Sequence, residues 1–215
     1  MDTTPGSQLM CNPPQFRHLM AFNPIQSLKL RPGQAVTALA AGAAMAASGY
    51  LWGPAGYAWA GAVLAFALSW AAMVDVDRFV LPDILTLGLA ACGLVLAAMQ
   101  GVAQFLGHSA GAALGYGVLA GVAFTYRRLR GREGLGLGDA KLMAAAGAWL
   151  GWAALPSVLL AASFAGIIWV AAGAVATRRV SAQQAVPFGP FIAAGFWMVW
   201  LFGPVGGYPY MTFAQ

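Results

Sequence analysis

Long uncharged stretches alternate with short charged ones along the chain, and this pattern predicts its secondary structure. Residues 32–74, 84–126, 142–177 and 180–215 contain no Asp, Glu, Lys or Arg. A helix needs about 20 apolar residues to cross a membrane. Each of the first two uncharged stretches is therefore long enough for two helices. The third is long enough for two if the first of them begins near Asp139, and the last is long enough for one.

Glycine and proline mark the places where the helices turn. Breaks are expected at residues 53–56, 100–109, 151–156 and 203–207. The fold class predicted is all-α, a polytopic membrane bundle of about seven transmembrane helices. Their expected bounds are residues 35–52, 58–75, 84–101, 109–126, 139–152, 155–177 and 188–204. Residues 1–34 are expected to form a short cytoplasmic segment, 35–204 the transmembrane domain, and 205–215 a short periplasmic tail.

Composition excludes a soluble enzyme, because only 8% of the 215 residues are charged and 60% are hydrophobic. The net charge of +5 does not indicate a nucleic-acid partner, since the basic residues punctuate apolar runs. In the seven-helix arrangement every Lys and Arg falls on the same face of the membrane. Lys and Arg are enriched in cytoplasmic loops, so this face is expected to be cytoplasmic, with the N-terminus inside and the C-terminus outside.

Acidic residues also gather on that face, where they lie beside the predicted helices. Charge at membrane depth indicates function by default, because its burial must be offset. A structural interpretation fits three of these residues. Asp83 follows Pro82 and could cap the third helix, while Asp77 and Glu133 each stand beside an arginine and could form solvated pairs. The five acidic residues concerned are Asp75, Asp77, Asp83, Glu133 and Asp139.

Asp75 and Asp139 have a different setting from the other acids. Asp75 closes the apolar run 65–74, and Asp139 follows glycines at alternate positions 134, 136 and 138. Two carboxylates held together in a partly dry site cannot both ionise, so one can act as a general acid while the other activates water. Such a pair needs no metal or cofactor, and none is expected, since His18 and His108 fall on opposite faces. Residues 126–138 are expected to form a flexible loop beside the site.

Three segments resemble the type IV prepilin peptidases, which are membrane aspartic proteases of the GxGD type. They are residues 74–83 (VDVDRFVLPD), 133–142 (EGLGLGDAKL) and 186–191 (VPFGPF). The resemblance covers about residues 58–204. It implies that Asp75 and Asp139 are catalytic, Asp75 being preferred to Asp77 because a proline follows it seven residues on. The other motif residues are expected to support the substrate or the loop: Asp77, Glu133, Gly136, Gly138, Lys141, Pro187 and Gly189.

The resemblance also implies a substrate and a location. Members of the family cleave the basic leader of type IV prepilins and type II secretion pseudopilins at the cytoplasmic face of the bacterial inner membrane. Membrane lipid is the other expected partner, because the arginines of segment 127–132 could contact anionic headgroups or simply act as a topology signal. Many members carry two CxxC pairs that are linked to N-methylation, whereas the N-terminal segment here has only Cys11. The chain is therefore interpreted as a peptidase-only form or a shortened relative, and its product is expected without N-methylation.

Two alternatives remain open from the sequence. A non-enzymatic transporter or assembly subunit could use Asp75 and Asp139 as a proton relay or a packing pair. A GxGD protease that cuts within other membrane helices is the second. The prepilin interpretation is favoured because both aspartate segments occur together with the Pro187–Pro190 turn.

Overall fold

A computed structural model describes residues 30–52, 58–78, 80–131, 136–177 and 187–205. Within these ranges the chain is all-α, which confirms the predicted fold class. One short 3₁₀ helix, Trp152–Ala154, precedes the sixth of seven α-helices. The α-helices are α1 (Pro32–Trp52), α2 (Ala58–Arg78), α3 (Asp83–Met99), α4 (Val102–Arg130), α5 (Leu137–Leu150), α6 (Leu155–Thr177) and α7 (Gly189–Phe202).

Three helical segments in the described part of the chain are long and apolar enough to cross a membrane. They are α2, α4 and the segment Trp152–Gly173, with mean hydropathies of 1.6, 1.2 and 2.0. The helices α3 and α7 are apolar but shorter. On α6, large apolar side chains such as Phe164, Ile167 and Trp169 are exposed, as expected of a surface that meets lipid instead of water.

Helix α5 occupies the centre of the bundle, and this follows from its composition. It packs against α3, α4, α6 and α7. Every residue from Ala145 to Leu150 is buried, as are Leu142 and Met143. A helix that is apolar all round is stable only when other helices surround it, so this 14-residue helix forms the core around which the longer helices are placed.

Glycines allow α4 and α5 to cross with their backbones in contact. A Cβ atom on Gly147 would overlap the backbone of Gly111, and one on Gly115 would lie 2.5 Å from the carbonyl oxygen of Met143. Gly111 and Gly115 are four residues apart, the small-xxx-small spacing that is typical of close helix pairs in membranes. The crossing is antiparallel, since 111 meets 147 and 115 meets 143, and it brings the end of α4 to the same end of the bundle as the start of α5.

Buried tryptophans fix the neighbours of this core. The Trp149 indole N–H donates to the carbonyl oxygen of Leu89 at 2.7 Å, and its ring packs on Gly93, where a side chain would collide with it. Trp200 of α7 fits against Gly61 of α2 in the same way. An indole buried in an apolar interior needs a partner for its N–H, so the Trp149 bond sets where α3 lies on α5.

The turn between α3 and α4 is tighter than the sequence analysis predicted. Gln100 and Gly101 make it alone, Gly101 having a φ of +119°, and α4 begins at Val102. The prediction that the break extends to residues 107–109 was therefore wrong. His108 is buried inside α4, with its Nδ1 2.9 Å from the carbonyl oxygen of Ala148, so it belongs to the α4–α5 interface.

The predicted loop at residues 126–138 is also shorter than expected. Helix α4 continues to Arg130 and ends at Gly131, which has a φ of +64° and bonds its N–H to the carbonyl of Arg127. The basic residues 127–130 thus complete the last turn of a helix, where positive charge is favourable. Residues 132–135 lie outside the described ranges, as does the predicted turn at 53–56. The expected breaks near Gly151 and Gly203 are confirmed, since α5 and α7 end there.

The α4–α5 crossing yields a stability prediction. Gly147→Ala should lower the free energy of unfolding in detergent by about 1–3 kcal/mol, because the added methyl meets backbone that cannot rotate away. Gly117→Ala on α4 is the matched control, since nothing lies within 4 Å of the position its methyl would take, and it should be neutral or slightly stabilising. Equal effects of the two substitutions on thermal or denaturant unfolding would contradict the glycine crossing.

Candidate active site

Asp75 lies in the last turn of α2, where it is buried at 5% exposure. The C-terminal end of a helix carries partial negative charge, so this is an unfavourable place for a carboxylate. The N-terminus of α7 faces it. A Cβ atom on Gly189 would lie 2.6 Å from Asp75 Oδ2, so the start of α7 packs directly against the Asp75 carboxyl. The first residue of α7 therefore offsets the position of Asp75 at the end of its own helix.

Asp139 is the third residue of α5 and is likewise buried, at 7% exposure. Gly136 is the N-cap of α5, and Asp139 lies in the first turn of the helix. A carboxylate at this position can accept from the N-cap N–H, which has no partner within the helix. Glycine is needed at position 138, where a Cβ atom would lie 2.9 Å from Leu81 Cβ, whereas a Cβ atom on Gly136 would make only ordinary contacts.

A single leucine joins the two aspartate segments. Leu81, in the connection between α2 and α3, is 5% exposed. A Cβ atom on Gly138 would lie 2.9 Å from Leu81 Cβ, and one on Gly189 would lie 3.1 Å from Leu81 Cδ1. Both glycines thus make room for the same side chain. Leu81 lies within the first motif, directly before Pro82, and this position is the one local sign of its role.

The two carboxyl groups belong to one site, because Leu81 packs both against Gly138, next to Asp139, and against Gly189, which touches Asp75. Asp75 Oδ2 is buried and has no hydrogen-bond partner in the described part of the chain. A buried carboxylate oxygen without a partner is costly.

The structure brings together five of the predicted site residues, namely Asp75, Asp139, Gly136, Gly138 and Gly189. Pro187 is partly buried just before α7. Glu133 lies outside the described residues. Asp77 and Lys141 are part of the same end of the bundle, but each is bonded to a different helix and not to the aspartate pair.

Asp77 is only partly the solvated neighbour of Arg78 that the sequence suggested. Its Oδ2 lies 3.8 Å from Arg78 Nε, while its Oδ1 accepts a hydrogen bond of 2.8 Å from Gln34 Nε2 of α1. The side chain of Asp77 is 21% exposed. Gln34 was missed by the sequence analysis, because an isolated glutamine at the start of a helix carries no signal of a partner 43 residues away.

The expectation that Asp83 caps α3 was wrong. Pro82 is the N-cap residue, and no side chain caps the helix there. Asp83 is the first helical residue, where its charge suits the helix N-terminus, and its Oδ1 lies 2.5 Å from Lys141 Nζ. The Asp83 carboxylate is therefore paired with Lys141 of α5 and does not cap its own helix.

An apolar groove of about 530 Å³ lies between α6 and α7. Phe188, which precedes Gly189 in the chain, is among its lining residues. Ser163 is the hydroxyl-bearing residue among those that line it. The lining residues are Ser163, Gly166, Ile167, Val170, Ala171, Phe188 and Phe191.

Two buried carboxyl groups, each facing the N-terminus of a helix inside an apolar bundle, define a candidate acid–base site in a membrane protein. A sequence model of the type IV leader peptidase family matches residues 62–171, which includes both aspartates. The chain belongs to this family. No solved structure matches it.

Curated relatives carry the name prepilin leader peptidase/N-methyltransferase. The protein of Aeromonas salmonicida is 40% identical over 147 residues, 66% of this chain and 50% of that protein. The protein of Burkholderia pseudomallei is 43% identical over 159 residues, 73% of this chain and 50% of its own length. The protein of Dickeya chrysanthemi is 37% identical over 175 residues, which are 79% of this chain and 60% of that protein. The chain thus spans about half the length of the first two relatives.

The close approach of Gly189 to Asp75 gives a prediction for the site. Gly189→Ala should lower turnover at least about tenfold, because its methyl would displace the Asp75 carboxyl and Leu81, and a shift of about 1 Å can cost about 100-fold. Gly88→Ala is the control, since no atom lies within 4 Å of the position its methyl would take. Membrane insertion is measured alongside by the amount of protein in the membrane fraction. Full activity of Gly189→Ala would show that the site does not depend on this contact.

Proposed function

We propose that this chain is a membrane aspartic endopeptidase that removes the basic leader from type IV prepilins or type II secretion pseudopilins. The observation that supports the proposal best is the buried pair Asp75 and Asp139, with one Asp75 oxygen left without a partner in the described residues. Membership of the type IV leader peptidase family and the names of the relatives agree with it.

The proposed reaction is hydrolysis of one peptide bond by water. One aspartate is charged and takes a proton from water as the oxygen attacks the carbonyl carbon. The other aspartate is protonated and gives its proton to the carbonyl oxygen, so that a gem-diol forms. The proton taken from water then passes from the first aspartate to the leaving nitrogen as the C–N bond breaks, and a gem-diol proton returns to the second aspartate. Burial favours keeping one proton on the pair, because two negative charges close together in a dry site repel each other.

The location proposed for the site is the cytoplasmic face of the bacterial inner membrane. Arg31, Lys141 and the basic last turn of α4 stand at the end of the bundle that carries the aspartates, an end defined by the α4–α5 crossing. Basic residues are enriched on the cytoplasmic side. A leader held at this face would present its cleavage site to Asp75 and Asp139 while the rest of the substrate stays in the membrane.

The names of the relatives also include N-methyltransferase activity. Because the chain spans about half the length of the first two relatives, the proposal is confined to leader cleavage. No cofactor takes part in the proposed hydrolysis.

Replacement of either aspartate tests the proposal directly. Asp75→Asn and Asp139→Asn should each lower leader cleavage at least about 100-fold, because an amide can neither accept nor donate the catalytic proton. The measurement is the shift of a co-expressed prepilin to its shorter form on a gel, with the enzyme quantified in the membrane fraction. Asp77→Asn is the matched control and should lose less than about threefold.

Near wild-type processing by either aspartate variant would reject the dyad. An intact protein in which both variants abolish proton-coupled transport instead of cleavage would support the transporter alternative.

Cysteine labelling tests the orientation. In a chain with Cys11→Ser and Cys92→Ser, an impermeant thiol reagent applied from the periplasm should label Gln100→Cys and Val205→Cys, which lie at the end opposite the aspartates. Arg130→Cys, on the last turn of α4, should react only after the membrane is permeabilised. Labelling of Arg130→Cys in intact cells would place the aspartates on the periplasmic side.

A further inference from the structure

Each candidate catalytic aspartate is followed two residues later by a charged residue that bonds to another helix. After Asp75 comes Asp77, whose Oδ1 accepts from Gln34 of α1 at 2.8 Å. After Asp139 comes Lys141, whose Nζ lies 2.5 Å from Asp83 of α3. The same arrangement thus occurs on both halves of the site.

Helix geometry gives this spacing a consequence. Successive residues on an α-helix are about 100° apart, from 3.6 residues per turn, so residues i and i+2 point to opposite faces. Asp75 and Asp139 are buried in the shared site, while Asp77 and Lys141 project away from it to α1 and α3. A bond on the far face resists rotation of the helix about its own axis.

Small rotations would matter for the aspartates. With an overall helix diameter of about 10–12 Å, a carboxylate lies about 6 Å from the axis, and a rotation of about 10° moves it by about 1 Å. A misplacement of this size can cost a catalyst about 100-fold in rate. The rotation of each of these terminal turns about its helix axis therefore has to be limited to a few degrees.

The two aspartates also stand on the least constrained turns of their helices. Asp75 and Asp77 lie in the last turn of α2, and Asp139 lies in the first turn of α5, with Lys141 just after it. Terminal turns lack part of the backbone hydrogen bonding of the helix interior. The indole bond of Trp149 to Leu89, which also joins α5 to α3, is at the opposite end of α5 and cannot hold its first turn.

Gln34 is itself held in place. Its Oε1 accepts the backbone N–H of Arg31 at 3.1 Å, while its Nε2 donates to Asp77. The amide thus connects the start of α1 to the end of α2. Asp83 is equally defined, because it is the first residue of α3.

We propose that Asp77 with Gln34, and Lys141 with Asp83, are positioning residues that set the rotation of the terminal turns of α2 and α5 and so aim the two aspartates at each other. The effect on catalysis rests on the proposed function, whereas the effect on geometry does not. The competing role for Asp77 is direct contact between its charge and a basic leader.

Substitutions at Asp77 separate these roles. Asp77→Asn removes the charge but keeps an oxygen that can accept from Gln34, and it should lower kcat less than about threefold. Asp77→Leu and Gln34→Leu both remove the bond, and each should lower kcat at least about tenfold with KM within about twofold of wild type. If Asn and Leu at position 77 were equally harmful and raised KM, the charge would act on substrate and the positioning role would be rejected.

A double-mutant cycle tests the second pair. Lys141→Met and Asp83→Leu should each lower kcat at least about tenfold. The kcat of the double variant should lie within about twofold of that of the less active single variant, because each substitution removes the same ion pair. Arg130→Met is the control, since it removes one positive charge from the exposed end of α4 and leaves the ion pair intact. Multiplicative losses in the double variant would show that Lys141 and Asp83 act separately.

A cross-linking experiment gives a readout that does not depend on proteolysis. In a chain with Cys11→Ser and Cys92→Ser, cysteines replace Asp75 and Asp139, and a short thiol-reactive cross-linker joins them. Asp77→Leu or Lys141→Met in this background should slow cross-linking at least about fivefold, whereas Asp77→Asn should change it less than about twofold. Unchanged cross-linking rates would overturn the positioning role even if the chain with both aspartates cleaves prepilin. Slowed rates would retain the positioning role even if the chain with both aspartates cleaves no prepilin, in which case the proposed function alone fails.

Discussion

The structure depends on keeping two carboxyl groups out of water within an apolar bundle. Burial of a charged group costs several kcal/mol unless hydrogen bonds or opposite charge offset it. Asp75 lies against the start of α7 and Asp139 lies at the start of α5, where unpaired backbone N–H groups carry partial positive charge. Gly189, the first residue of α7, packs directly against the Asp75 carboxyl, and Asp139 is itself in the first turn of α5. Because these donors are backbone groups at helix starts, the positions of α5 and α7 are tied to the positions of the acids.

The need for close backbone approach explains where glycine is required. At Gly138 and Gly189 a side chain would collide with Leu81, and at Gly189 also with Asp75. Close backbone contact at glycine also occurs in the core, farther from the site, where Gly147 packs against the backbone of Gly111. In lipid, apolar surface alone does not drive helices together, so packing between small residues has to supply much of the association. The glycine content thus serves both the site and the bundle.

The helix order and most helix bounds could be predicted because charge gaps and glycine–proline breaks mark them directly. The prediction failed where tertiary contact overrides a local signal. Gly107 and Ser109 suggested a turn, yet His108 between them bonds to Ala148 and keeps that segment helical. Asp83 had the local pattern of a cap, but Lys141, 58 residues away, binds its carboxylate instead. The aspartate pair could be inferred from motif resemblance, whereas Gln34 and Leu81 are defined by partners that no local pattern reveals.

The use of charge in the chain follows from its scarcity. The chain has six acidic residues, and the four in the described ranges all lie at one end of the bundle, between Asp75 and Asp139. Two of these face inward as the candidate catalytic pair, and the other two bond to neighbouring helices on the outer side. Outside this end, the described core contains apolar and small residues with few polar side chains. The bundle therefore gains its overall stability from packing, while the acidic groups of the described residues are confined to the end that holds the aspartate pair, where the direction of a side chain matters more than additional packing energy.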